Sequence, residues 1–172
     1  IHNLLYSDDT RRMVEALNAL GVKIFEDLNQ NIISVYGTSG EIPASDATLM
    51  LGNAGTVIRP LTAALTLGKG RFILDGVERM RKRPIIDLVN GLKQLGAIVS
   101  CVNGTDSPPV EVIANGLPGG TTRLSGSISS QYLSAILMAA PYAKKEVLIE
   151  ITDKLVSVPY VEMTLQLMFR FG

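Results

Sequence analysis

One cysteine, Cys101, and one histidine, His2, stand in a chain of 172 residues that has no tryptophan. A single cysteine can form neither an intrachain disulfide nor a cysteine-based zinc site. A lone histidine near the N-terminus leaves no histidine metal cluster and no base for a Ser-His-Asp triad. No Gly-x-Ser-x-Gly elbow and no Gly-x-x-x-x-Gly-Lys-[Ser/Thr] loop occurs, which counts against serine hydrolases and ATP-binding proteins. Neither a metal nor a cofactor is therefore expected. Charge is also sparse: 16 Lys and Arg balance 16 Asp and Glu, so no global field recruits nucleic acid or an acidic membrane. The longest apolar run lies within Ile128–Ala140, is broken by Ser and Gln, and falls far short of the roughly 20 residues a bilayer requires.

What is present is a 47% apolar chain, able to bury enough surface to offset chain entropy. A repeat runs through it. Apolar residues spaced three and four apart lead into Gly21, Gly96 and Gly172, each placed where a helix takes a left-handed C-terminal cap. The spacings are 75 and 76 residues. Strand-like runs follow the first two, at Val22–Phe25 and Ala97–Val102. A second pair of helices, Thr56–Leu67 and Gln131–Ala143, starts 75 residues apart, and each feeds a strand, at Arg71–Leu74 and Glu146–Ile151. Further strands are expected at Ile32–Val35, Val110–Ala114 and Thr121–Leu124, with a tight turn at Asn103-Gly104. This alternation predicts an α/β fold. The repeat suggests pseudo-threefold units of roughly 1–75, 76–150 and a truncated 151–172 around buried second helices. The chain starts at Ile1 without Met and stops inside a recurring pattern, so it reads as a piece of a longer protein.

Four polar loops each precede a helix start, where free N–H groups and the helix dipole favour anions. In Leu51-Gly-Asn-Ala-Gly-Thr56, Gly55 permits close approach to the backbone, and Pro60 places the helix start near Thr56–Val57. The run Leu124-Ser-Gly-Ser-Ile-Ser-Ser-Gln131 offers several hydroxyl and amide donors. Arg79-Met-Arg-Lys-Arg83-Pro84 carries four cations in five residues, an arrangement that answers to an anion or to neighbouring carboxylates. Lys154–Tyr160 presents Ser157 and Tyr160. Each loop also has a plain reading as a cap, a turn or a solvated surface run; their convergence is what points to a binding site.

These four segments, with Ser7-Asp-Asp-Thr10 and Leu117-Pro-Gly-Gly120, resemble the signature segments of the EPSP synthases (3-phosphoshikimate 1-carboxyvinyltransferases), the plant type above all. The resemblance covers the whole chain in order. It implies one lobe of a two-lobed enolpyruvyl transferase fold, each lobe made of three βαβαββ-type units, with the second lobe as the chain's partner. It further implies transfer of the enolpyruvyl group of phosphoenolpyruvate to the 5-hydroxyl of shikimate 3-phosphate, in aromatic amino acid biosynthesis. By position, Gly55, Arg79 and Gln131 are implied to contact phosphoenolpyruvate. Ser129, Ser130, Gln131 and Ser157 are implied to hold shikimate 3-phosphate, with Tyr160 against its ring. Asn53, Thr56, Arg59 and Pro60 shape the Gly55 loop. The family's acid-base groups fall outside this stretch, so no catalytic residue is assigned and the stretch alone is expected to be inactive. Gly55, Thr56 and Pro60 match the glyphosate-sensitive type. Val57-Ile58 and Glu78 depart from the usual residues, and Glu78 could pair with a neighbouring arginine. Plastid stroma is implied for a plant protein and cytoplasm otherwise.

The alternatives are a UDP-N-acetylglucosamine enolpyruvyl transferase and a non-catalytic anion-binding module. The first needs a reactive cysteine in a flexible loop, whereas Cys101 lies in a strand-like run that favours a buried, inert thiol. The second would be favoured by loss of Arg79 or Gln131, and both are present.

Overall fold

The computed structural model describes all 172 residues. Helix α1 (Asp8–Ala19) starts at a capping box, in which Ser7 accepts from the Thr10 N–H and Thr10 reaches back to the Ser7 backbone. It stops at Gly21, whose φ of +85° is open mainly to glycine. The Gly21 N–H reaches Asn18 and the Val22 N–H reaches Leu17, which together satisfy carbonyls that the helix end would orphan. Strands β1 (Ile24–Asp27) and β2 (Ile32–Val35) form an antiparallel hairpin. Strand β3 (Asp46–Met50) was not among the expected strands. Its sequence, Asp-Ala-Thr-Leu-Met, lacks clear alternation, and parallel pairing with β4 (Lys69–Asp75) is what makes it a strand. Between them runs helix α2 (Gly55–Leu65).

Helix α2 begins at Gly55, with Ala54 as its N-cap, one to two residues earlier than Pro60 predicts. Pro60 consequently lies past the first turn, where it withdraws one N–H from the helix ladder. Buried Leu61 and Leu65 and neighbouring α4 hold the helix in place despite that loss.

A 3-10 turn at Met80–Lys82 precedes α3 (Ile86–Gln94), so Pro84 stands two residues ahead of that helix. Gly96 repeats the Gly21 cap with the same φ of +85°, and the Ala97 N–H reaches Leu92. Strands β5 (Ile98–Cys101) and β6 (Val110–Asn115) complete a four-stranded sheet of order β3-β4-β6-β5. Asn103 and Gly104 do turn the chain, but inside a longer connection from Val102 to Pro109 rather than a two-residue hairpin.

Strand β7 (Gly120–Leu124), α4 (Ser130–Ala139) and β8 (Val147–Ile151) form a second crossover with parallel strands, like β3-α2-β4. A 3-10 turn at Ala140–Tyr142, containing Pro141, ends α4 before the expected Ala143. Helix α5 (Val158–Phe171) follows.

The two crossover helices α2 and α4 pack along one another and carry most of the centre: Ile58, Leu61, Leu65, Tyr132 and Ile136 are all buried. One cluster of 30 buried apolar residues joins them to β4, α3 and β6, so there is a single core. Phe72, fully buried on β4, contributes about 1.5–3 kcal/mol by leaving water. Burying α2 and α4 side by side brings their N-termini, and the loops before them, to one end of the molecule.

Candidate functional site

The Gly55 loop is short because β3 and β4 are parallel neighbours, and the crossover must turn directly into α2. It is fastened from two sides. On one side the Thr56 hydroxyl donates to the Asp9 carboxylate of α1, so Thr56 serves as a tie between elements rather than as the helix cap. On the other side Arg83 Nη1 donates to the Asn53 carbonyl at 3.1 Å. The Arg83 guanidinium covers Gly55 so closely that a Cβ there would lie 2.7–2.9 Å from three of its atoms. Only glycine leaves room for that cation over the helix start.

The basic run divides by partner. Arg81 Nε and Nη2 donate to the two oxygens of buried Asp75 at 2.9 and 2.5 Å, and Lys82 reaches Glu78 at 2.6 Å. Carboxylates therefore answer two of the four cations, and Glu78 pairs with the lysine, not with an arginine. Arg79 is exposed and its side chain makes no hydrogen bond or ion pair within the chain, whereas Arg83 lies directly over the Gly55 loop. The resemblance implies Arg79, the first arginine of the cluster, as the ligand contact; the last one, Arg83, is the arginine that covers Gly55. The 3-10 turn at Met80–Lys82 is what swings the last one inward.

Gln131 comes to the same place from α4. Its side-chain oxygen accepts from Arg59 Nη1 at 2.5 Å, and Arg59 lies 5.4 Å from the centre of the Tyr132 ring. The Tyr132 hydroxyl donates to the Pro84 carbonyl at 2.7 Å, which ties α4 to the arginine segment. Burial pulls the Arg59 guanidinium below its ordinary pKa, helped by repulsion from Arg83, while contact with Tyr132 works against the shift. Burial likewise raises Tyr132. Two arginines facing the same small region, one largely desolvated, make a strong local positive field where an anion offsets the mutual repulsion.

The serine run completes the array. Ser129 is the N-cap of α4 and accepts from the Gln131 N–H at 3.3 Å, which leaves its hydroxyl proton free to donate. Ser130 opens the helix. Ser157 precedes α5 in the left-handed region, at φ +53°, and its side chain caps nothing. Helices α4 and α5 are linked by Ser134 and Thr164, 2.9 Å apart, which places Tyr160 beside the α4 N-terminus. Thr56, Pro60, Ser130, Gln131 and Tyr160 line one open cleft of about 280 Å³. Tyr160 is 63% exposed, with its ring free to meet a ligand. A larger shallow depression of about 660 Å³ lies along Phe25–Ser34, away from all of these residues.

Cys101 ends β5 and does not line the cleft. Burial, with the nearby Asp106 carboxylate, raises its thiol pKa, the opposite of an activated nucleophile. No group of three or more His, Cys, Asp or Glu is placed to hold a metal ion, and no helix is long and apolar enough to cross a membrane.

Residues 1–172 match the sequence profile of EPSP synthase (3-phosphoshikimate 1-carboxyvinyltransferase). The chloroplastic 3-phosphoshikimate 1-carboxyvinyltransferase of Brassica napus is 60% identical over 180 residues, and that of Arabidopsis thaliana is 59% identical. Both matches take in the whole of this chain and 35% of the relative. The Marinomonas enzyme of the same name is 49% identical, with 40% of its length matched. Among solved structures, EPSP synthase from Acinetobacter baumannii superposes with a TM-score of 0.76 at 26% identity, over 88% of this chain and 34% of that one. The chain thus spans little more than a third of the length of these relatives, and by sequence and by fold it belongs to the EPSP synthase family.

Proposed function

We propose that this chain is the substrate-holding part of one lobe of an enzyme that transfers the enolpyruvyl group of phosphoenolpyruvate to the 5-hydroxyl of shikimate 3-phosphate. The observation that carries this reading is the meeting of three helices at one cleft, α2 with Thr56 and Pro60, α4 with Ser130 and Gln131, and α5 with Tyr160, while Gly55 with Arg83, Ser129 and Ser157 stand at the starts of those same helices. Both substrates are polyanions. Bringing them together needs fixed positive potential at two neighbouring points, which helix N-termini and arginines supply without reorganising.

In this reading Arg83, the Gly55 backbone and Gln131 hold phosphoenolpyruvate. Ser129, Ser130 and Ser157 take the phosphate of shikimate 3-phosphate, Gln131 contacts that substrate also, and the Tyr160 ring packs on its carbocycle. The basic-run contact passes from Arg79 to Arg83 because Arg83 is the arginine at the loop. Asn53, Thr56, Arg59 and Pro60 keep the loop and Gln131 in position.

The chemistry joins the 5-hydroxyl oxygen to C2 of phosphoenolpyruvate while C3 gains a proton and the hydroxyl loses one. The tetrahedral intermediate then expels phosphate and releases a C3 proton, restoring the double bond. This chain offers binding and charge compensation; we assign the proton transfers to a second lobe of the complete protein. The greater likeness to plant relatives, named chloroplastic, favours the plastid stroma.

The test is phosphate release by the complete protein from phosphoenolpyruvate with shikimate 3-phosphate, and separately with UDP-N-acetylglucosamine. Turnover with the first acceptor only is expected. Turnover with the second alone, or with neither, overturns the reading.

A further inference from the structure

Of the four serines between Ser125 and Ser130, two are engaged by one carboxylate that the reading above does not use. Asp153 lies just beyond β8, and its two oxygens accept four hydrogen bonds from that loop. Oδ1 takes the N–H groups of Gly126, at 2.6 Å, and Ser127, at 3.0 Å. Oδ2 takes the hydroxyls of Ser125, at 2.7 Å, and Ser127, at 3.0 Å. A carboxylate has about four acceptor positions, so Asp153 is saturated by its own protein and has none left to act as a base. Beside it, the Val156 N–H donates to the Gly126 carbonyl at 2.9 Å and the Thr152 N–H to the Leu124 carbonyl at 3.0 Å. The β7–α4 loop and the β8–α5 connection are thus clasped together a few residues before Ser129–Ser130 on one side and Ser157–Tyr160 on the other.

We propose that Asp153 is a positioning residue for the phosphorylated acceptor, setting the distance between Ser129–Ser130 and Ser157 and selecting which serines can donate to the phosphate. This rests on the substrate assignment made above. The selection is chemical. The hydroxyl protons of Ser125 and Ser127 point at a carboxylate and are not available to an anion, whereas Ser129 and Ser130 keep theirs. The hydrogen bonds also hold Asp153 below the ordinary carboxylate range, led by that from Ser125, so it stays ionised and the clasp stays closed at neutral pH. The segments it joins feed separate helices, α4 and α5, whose mutual contact at Ser134 and Thr164 lies a full turn beyond each start. One further side-chain hydrogen bond joins the two segments, from the Thr152 hydroxyl to the Leu124 carbonyl at 3.3 Å, at the strand ends rather than in the serine run.

The experiment uses the complete protein as wild type, Asp153→Ala and Asp153→Asn. Asparagine can keep its carbonyl on the two N–H groups and turn its NH₂ toward the hydroxyls, which can accept as readily as donate. Asp153→Ala is expected to raise the KM for shikimate 3-phosphate by tenfold or more while kcat and the KM for phosphoenolpyruvate change less than threefold. Asp153→Asn is expected to recover most of the loss, and amide exchange at Gly126 and Ser127 to accelerate in the alanine variant alone. An unchanged acceptor KM in Asp153→Ala, an equal rise in both KM values, or an asparagine variant as impaired as alanine overturns the proposal. A wild type that does not turn over shikimate 3-phosphate would instead overturn the substrate assignment. The exchange rates report the clasp in either case.

Discussion

Arg59 on α2 donates to the Gln131 side chain on α4 at 2.5 Å while its guanidinium lies 5.4 Å from the centre of the adjacent Tyr132 ring. The two residues are 72 positions apart, one in each crossover, and the contact joins the loop regions assigned to the two substrates. Arg59 is only 9% exposed, so its charge is held out of water at a cost that its partners offset. Arg59→Met is therefore expected to keep stability within about 1 kcal/mol, because a buried charge is exchanged for an apolar chain of similar length. The same variant should raise the KM for phosphoenolpyruvate by about tenfold, equivalent to about 1.4 kcal/mol, as Gln131 loses its orientation. Denaturant midpoints and steady-state kinetics separate the two effects, and a stability loss without a KM change would make Arg59 purely structural.

Gly55→Ala tests the fit of Arg83 over the loop. The added Cβ meets the far end of a flexible side chain, which can move, and alanine is the better helix former by about 1 kcal/mol. Thermal stability is expected to hold or rise slightly while the KM for phosphoenolpyruvate climbs about tenfold, since the cation is displaced. An unaltered KM would show that Arg83 does not serve the site from its observed position.

The two outer arginines of the basic run should differ. Arg83→Ala is expected to raise the KM for phosphoenolpyruvate at least tenfold, or about 1.4 kcal/mol. Arg79→Ala, at an exposed position without a side-chain partner, should change it less than threefold. The reverse order in paired kinetic measurements would restore the assignment drawn from resemblance.

Asp75 and Arg81 carry a pH dependence. The Arg81 hydrogen bond, aided by the Gly76 N–H, lowers the Asp75 pKa against the opposing effect of burial. A folded-state value below the unfolded one stabilises the fold above the ordinary aspartate range, about pH 4, and the contribution disappears as pH falls through the folded value. Asp75→Asn should cost about 1–2 kcal/mol at pH 7, because Arg81 is half exposed and can rehydrate. It should also flatten the fall in stability below pH 4. Urea denaturation at pH 7 and pH 3 measures both, and equal losses at the two values would count against the ion pair.

Cys101→Ser is expected to leave turnover unchanged. Its thiol is partly buried on β5 with a raised pKa, so alkylation at pH 7 should be slow and should accelerate as pH rises. Rapid alkylation at neutral pH with loss of activity would favour the cysteine-dependent alternative.

Sequence alone determined the features that local chemistry dictates. Gly21 and Gly96 cap their helices at the same positive φ because a left-handed residue after a periodic apolar run has one favoured occupant. The apolar character of Gln131–Ala140 marked a buried helix, and the serine-rich run before it offered a cap, which the structure assigns to Ser129. The four polar loops were visible as donor-rich segments ahead of helices. Tertiary structure decided what local patterns do not encode. Strand β3 exists through its pairing with β4, and α2 starts at Gly55 although Pro60 argues for a later start. Which arginine faces Gly55, and which two serines Asp153 withdraws from the cleft, depend on contacts across 26 to 30 residues of chain. A run of four cations or four serines is degenerate along the chain; only the packing of α2 against α4, and of α4 against α5, makes its members different.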